Sequence, residues 1–341
     1  MAQLTSFGRF TIVAVIVAAI FGGYVYFKDK GVIGTPSAQT ETNTMEATPA
    51  EGNTSGENAT ESTGTETATT SSRSAFDYTP PAPTGGKLRG VVEMGASGFN
   101  SFIINADADK NWKLEKSEFG NSLVTENMAT EEDIRAGLKK YIGTMLDFGV
   151  GPKDIHFVVS SGAAKADVTQ KITKALKSLN YYVNTVTPEQ EGTYALQSVL
   201  PPVYEDRAFV VDIGSGNTKI SWKENGQTKA IESYGSKYFQ NGLSDQKVYD
   251  EVMAKAKQIP DSHRKTCFII GGVPFKMAKQ VRNAKERYTV LKAPADYNMD
   301  DAKDKAGVNI YKAIADATGT QQFVFDWDAN FTIGFLLNLP K

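Results

Sequence analysis

The chain has 341 residues but only one cysteine and two histidines. A single thiol excludes an internal disulfide and a cysteine-based zinc site. Cys267 lies in the apolar run Thr266-Cys267-Phe268-Ile269-Ile270 and reads as a buried strand thiol. His156 precedes Phe157-Val158-Val159, and His263 sits in the polar stretch Asp261-Ser262-His263-Arg264; neither has a partner at metal-ligand spacing. The net charge of −2 leaves no electrostatic footprint for nucleic acid.

Charge is absent from residues 10–27, a run long enough to cross a bilayer. No small-residue cleavage site follows it cleanly, so residues 1–30 are expected to be a retained single-pass membrane anchor. Arg9 precedes the run and Lys28 and Lys30 follow it, which tilts the soluble part toward the cytoplasmic side. Large apolar residues then nearly vanish. Thr, Ser, Glu, Ala and Pro dominate residues 31–85, a composition expected to form a disordered tether. Exported stalks share that composition, so a periplasmic placement stays open.

From residue 86 the pattern is that of a folded α/β protein. Strands are expected over 87–93, 100–106, 112–119, 155–160 and 182–186, with helices over 131–148, 167–179 and 188–199. A similar order follows: strands over 208–213, 219–223 and 227–234, with Asn225-Gly226 as a hairpin turn, then a helix over 243–257. A strand over 267–270, helices over 274–286 and 302–318, the run Phe323-Val324-Phe325 and an apolar tail over 331–339 close the chain. The halves 86–205 and 206–341 are therefore read as two related lobes.

One motif occurs in both halves. Val91-Val92-Glu93-Met94-Gly95-Ala96-Ser97-Gly98 recurs as Val210-Val211-Asp212-Ile213-Gly214-Ser215-Gly216-Asn217, about one domain's length later. Each copy is an apolar run, a carboxylate and a tight glycine bend. Glycine lets backbone N–H groups approach an anion closely, and a carboxylate at a strand end can hold a divalent cation. Two such units facing each other would clamp a metal-complexed phosphate chain.

The two bends, with two further segments, resemble the exopolyphosphatase / guanosine pentaphosphate phosphohydrolase (Ppx/GppA) family, within the sugar kinase, chaperone and actin superfamily. Glu93-Met94-Gly95-Ala96-Ser97-Gly98-Phe99-Asn100 is similar to the family's D-L-G-S-N-S-F loop. Ser160-Ser161-Gly162-Ala163-Ala164-Lys165-Ala166 is similar to T-x-A-x-R-x-A, and Thr187-Pro188-Glu189-Gln190-Glu191-Gly192 to S-G-x-E-E-A. Asp212 to Lys219 is similar to D-I-G-G-G-S-T-E.

The resemblance implies two ribonuclease-H-like lobes of the actin-like ATPase fold. It implies a phosphohydrolase acting on terminal phosphoanhydride bonds of polyphosphate or a nucleotide polyphosphate, and it allows a homodimer. Glu191 would be the general base. Glu93 and Asp212 would hold Mg²⁺. Gly95, Ala96, Ser97, Gly98, Gly214, Ser215, Gly216 and Asn217, with Lys219 and Lys165, would contact phosphate. A glutamate in a first helical turn is equally what the helix dipole favours, so the residue alone leaves Glu191's role open.

Three departures bear on turnover. Glu93 replaces an aspartate, Lys219 replaces a glutamate, and Ala164 stands at an arginine position. They keep a second reading open: a phosphate or nucleotide sensor or scaffold of the same fold that has lost turnover.

Two other motifs compete. Residues 107–118 follow EF-hand ligand spacing, but Trp112 replaces the mid-loop glycine and the preceding segment is strand-like, so a hairpin turn is expected instead of a calcium site. Gly271-Gly272-Val273 stands where kinase-like proteins contact adenosine, yet reads as a plain strand-to-helix turn.

Overall fold

The computed structural model describes residues 76–95, 98–119, 131–164 and 167–340. The expected anchor, most of the tether, Ala96, Ser97 and Lys165 lie outside these residues. Among the described residues no helix is long and apolar enough to cross a membrane.

The first sheet begins as an antiparallel meander of β1 (Lys87–Gly95), β2 (Gly98–Ala106) and β3 (Trp112–Phe119). Helix α1 (Glu131–Phe148) leads to β4 (Ile155–Val159), parallel to β1, and α2 (Asp167–Ser178) leads to β5 (Tyr182–Thr185), parallel to β4. The order is β3-β2-β1-β4-β5.

Helix α3 (Pro188–Val199) crosses to the second sheet. There β6 (Ala208–Ile213), β7 (Asn217–Glu224) and β8 (Gln227–Tyr234) form another meander. Helix α4 (Asp245–Ala256), strand β9 (Thr266–Gly271), helix α5 (Gly272–Lys279), strand β10 (Tyr288–Val290), helix α6 (Ala302–Thr318), strand β11 (Gln322–Asp326) and helix α7 (Phe331–Leu337) follow. The order is β10-β11-β9-β6-β7-β8. Apart from the edge strand β10, it repeats the first sheet's plan.

Local chemistry explains the key elements. All six residues of β6 are buried, as expected of a central strand covered on both faces. The β7–β8 turn uses Asn225 at φ 52° and Gly226 at φ 75°, the backbone a two-residue hairpin needs. Helix α3 starts with Pro188 behind a capping box: Thr187 and Gln190 each accept the other's backbone N–H.

Helices α3 and α7 exchange sheets. Helix α3 packs on β6, β7 and β8, while α7 packs on β1, β2 and α3. Small residues permit this. A Cβ at Gly192 would lie 2.9 Å from the Ala230 Cβ, and one at Gly334 would collide with the Tyr194 carbonyl.

Several expectations change. The helix expected over 274–286 stops at Lys279. Beyond it, the Arg282 guanidinium donates to the Glu286 carbonyl and stacks 3.8 Å from the Trp327 ring, holding an irregular turn. Within the expected tether two aromatics are packed: the Phe76 ring lies 5.4 Å from Phe268 and 5.3 Å from Tyr288, and the Tyr78 ring 5.8 Å from Tyr288. Large aromatic area outweighs the polar composition there.

The EF-hand-like segment is the β2–β3 turn. The Asp107 carboxylate accepts backbone N–H groups of Thr84, Asp109 and Asn111 and the Asn111 amide, at 2.9–3.0 Å. A carboxylate so occupied organises a turn.

Candidate functional site

The meander geometry brings the duplicated motif to one place. Strand β1 ends Glu93-Met94-Gly95 and turns back with Gly95 paired to Gly98. Strand β6 ends at Asp212 and Ile213, and the Gly214 N–H donates to the Asn217 carbonyl at 3.0 Å across the second bend. A Cβ at Gly214 would lie 2.7 Å from that carbonyl oxygen, so the bend requires glycine.

Both bends line one cleft of about 340 Å³ between the sheets, together with Glu191. At its wall Gly162, beyond β4, touches Gly216, and a Cβ on Gly216 would sit 3.0 Å from the Gly162 Cα. A second hollow, about 220 Å³ beside Trp112 and Tyr288, includes neither bend.

The capping box sets Glu191 in the first turn of α3, where it is 2% exposed. Its Oε1 lies 2.5 Å from the Lys219 Nζ, itself 2% exposed. Its Oε2 accepts the Ser161 backbone N–H at 3.0 Å and also the Ser161 hydroxyl. Lys219 pairs with Asp212 across the β6–β7 ladder, so both side chains share a face. The Asn217 amide donates to Ser161 Oγ at 2.9 Å and to Glu232 at 2.6 Å, tying the second bend to the Ser160-Ser161-Gly162 segment.

Electrostatics are dominated by burial. Glu93 is pushed up to about 7, first by desolvation, against hydrogen bonds from Asn100 and Asn330 and alongside repulsion from Asp212 and Glu191. Asp212 is pushed up to about 6 by desolvation, with Lys219 pulling it back and Glu191 pushing it further. Among the described residues, no group of three or more His, Cys, Asp or Glu side chains is arranged to hold a metal ion.

The structure thus brings together Glu93, Gly95, Gly98, Glu191, Asp212, Gly214, Ser215, Gly216, Asn217 and Lys219. Ala96, Ser97 and Lys165 lie outside the described residues. Sequence reasoning missed Ser161, Asn100 and Asn330 as partners of the two glutamates. Ser161 lay inside a quoted motif. Nothing local marked Asn330, because its link to Glu93 spans 237 residues.

Gly271 has φ 114°, and a Cβ there would lie 2.3 Å from the Ile213 carbonyl oxygen. Close packing of β9 on β6 accounts for this glycine without an adenosine contact.

No family model and no curated protein matches the sequence. Solved structures do. A Ppx/GppA family member of Aquifex aeolicus is 17% identical, with a TM-score of 0.56, covering 74% of this chain and 96% of its own. An exopolyphosphatase from Cytophaga hutchinsonii is 16% identical, with a TM-score of 0.57, covering 73% of this chain and 96% of its own. A type II variant of the Aquifex aeolicus Ppx/GppA phosphatase gives 15% and 0.54, over 74% of this chain and 98% of its own. Two sheets of matching plan, joined over nearly the whole of those structures, give this chain the Ppx/GppA fold that its motifs resemble.

Proposed function

We propose that the chain is a Ppx/GppA-like phosphohydrolase that cleaves terminal phosphoanhydride bonds of polyphosphate or a nucleotide polyphosphate, on two ribonuclease-H-like lobes of the actin-like ATPase type. The observation that carries this reading is the placement of Glu191 in one cleft with both acidic-glycine bends. The terminal phosphoryl group would lie against backbone N–H groups of the second bend beyond Gly214, whose own N–H is taken by the Asn217 carbonyl. Lys219 would offset charge on the phosphoryl oxygens. Glu191 would orient a water and take its proton as the water oxygen bonds to phosphorus. The bridging P–O bond breaks, and its electron pair leaves with the shortened chain.

Mg²⁺, implied by the resemblance, does not fit the residues present. Lys219 pairs with Asp212 across the ladder, pulls back by its charge the pKa that burial raises on that carboxylate, and puts its ammonium on Glu191, and Glu93 Oε2 already accepts amide N–H groups from Asn100 and Asn330.

One observation favours a second reading, a phosphate or nucleotide sensor without turnover. Both oxygens of Glu191 are engaged, by Lys219 and by Ser161. Phosphate release by the full-length chain, compared with Glu191→Gln, separates the two. A hydrolase should lose roughly a hundredfold or more in rate. Ligand-dependent thermal stabilisation without release in either protein would select the sensor.

The uncharged run over residues 10–27 supports a single-pass membrane anchor, and the flanking charge favours the cytoplasmic over the periplasmic side for the soluble part by one residue. Protease protection of the soluble part in intact spheroplasts would support that side, and digestion would place it outside.

A further inference from the structure

Lys219 occupies an unusual position. It projects from β7 opposite Asp212, pairs at 2.5 Å with Glu191, and its Nζ lies 3.6 Å from where a Cβ on Gly214 would be. The ammonium therefore sits beneath the second glycine bend, on the face it shares with Asp212. A side chain 2% exposed that carries charge needs strong compensation, and Glu191 supplies it. An ammonium has three donors. Among the described residues only Glu191 Oε1 accepts from it, which leaves donors for oxygens arriving in the cleft. A divalent cation beside the same carboxylates would face this fixed positive charge at close range.

We infer that Lys219 supplies the positive charge a divalent cation would otherwise bring, so that the cleft binds a phosphoanhydride chain without metal. The inference rests on the phosphate-cleft reading above. It adds that this charge takes the place of a divalent cation, so that binding needs no metal. Lys219 bridges Glu191 and a phosphoryl oxygen, and ligand binding draws the ammonium from one toward the other. That shift would release Glu191 Oε1 for a water.

The test is calorimetric titration of the full-length protein with inorganic tripolyphosphate, once in EDTA and once in Mg²⁺. Binding in EDTA should be retained, within about threefold of the Mg²⁺ value. Lys219→Glu, which restores the family's acidic residue, should bind tripolyphosphate only with Mg²⁺. The double variant Lys219→Met/Glu191→Gln, which buries no unpaired charge, should lose about tenfold or more in both conditions. A parent protein that binds only with Mg²⁺ overturns the inference while leaving the phosphate cleft standing. A double variant that binds like the parent in EDTA likewise overturns it. No binding by the parent in either condition overturns the cleft itself, and the inference with it.

Discussion

The Asn330 side-chain amide donates to Glu93 Oε2 at 3.1 Å, joining the start of α7 to the end of β1 across 237 residues. The same asparagine caps α7 by accepting the Thr332 N–H. Glu93 is thereby held in the cleft, desolvated and close to two other carboxylates, with its pKa pushed up to about 7.

The sign of the resulting pH dependence is fixed. The folded pKa of Glu93 lies above its ordinary 4.5, so the protonated form stabilises the fold below that value, and the contribution is lost as pH rises through about 7. Asp212 acts in the same sense between 3.8 and about 6. Glu93 is only partly buried, so the shift is discounted for solvent in the cleft to about 1–2 kcal/mol. Urea unfolding of Glu93→Gln should show greater stability than the parent at pH 8, with the gap closing toward pH 4. A gap independent of pH would reject this account.

Removing one member of the Lys219–Glu191 pair should be far worse than removing both. Lys219→Met leaves a buried carboxylate uncompensated and should cost about 3–5 kcal/mol. Lys219→Met/Glu191→Gln should recover most of that loss. Chemical denaturation of the two single variants and the double variant gives the coupling directly. Additive effects would mean that the two charges do not depend on each other.

Gly334→Ala should destabilise the chain by about 3 kcal/mol, because its Cβ collides with backbone of α3 and not with a side chain that could move aside. A melting-temperature measurement checks this. Gly143→Ala is the control, since a Cβ there meets nothing within 4 Å.

Calcium should leave the melting temperature unchanged. Asp107→Ala should lower it with or without calcium, because the carboxylate organises the β2–β3 turn. Calcium-dependent stabilisation that disappears in Asp107→Ala would revive the EF-hand reading.

Short-range patterns carried much of this structure. The carboxylate-glycine bends, the Thr187-Pro188 helix start and the Asn225-Gly226 turn each encode their geometry within a few residues. What escaped depends on distant partners. Ser161 reaches Glu191 from 30 residues away, and Lys219 from 28. The substitution at 219 was visible as a reversed charge, but its pairing with Glu191 needed α3 laid across β7. The expected helix over 274–286 was too long because periodicity does not register the pull of Trp327 on Arg282.

The exchange of α3 and α7 between sheets has a consequence for how the chain reaches its native state. Phe335 and Leu336 belong to the same buried cluster as Val91, Phe102 and Ile104 of the first meander. The first-made strands thus stay incompletely covered until residues 331–337 have been synthesised. Nascent chains stalled before residue 331 should therefore engage chaperones that chains stalled well beyond residue 340 escape, and any hydrolytic or sensing competence would appear only once α7 is in place.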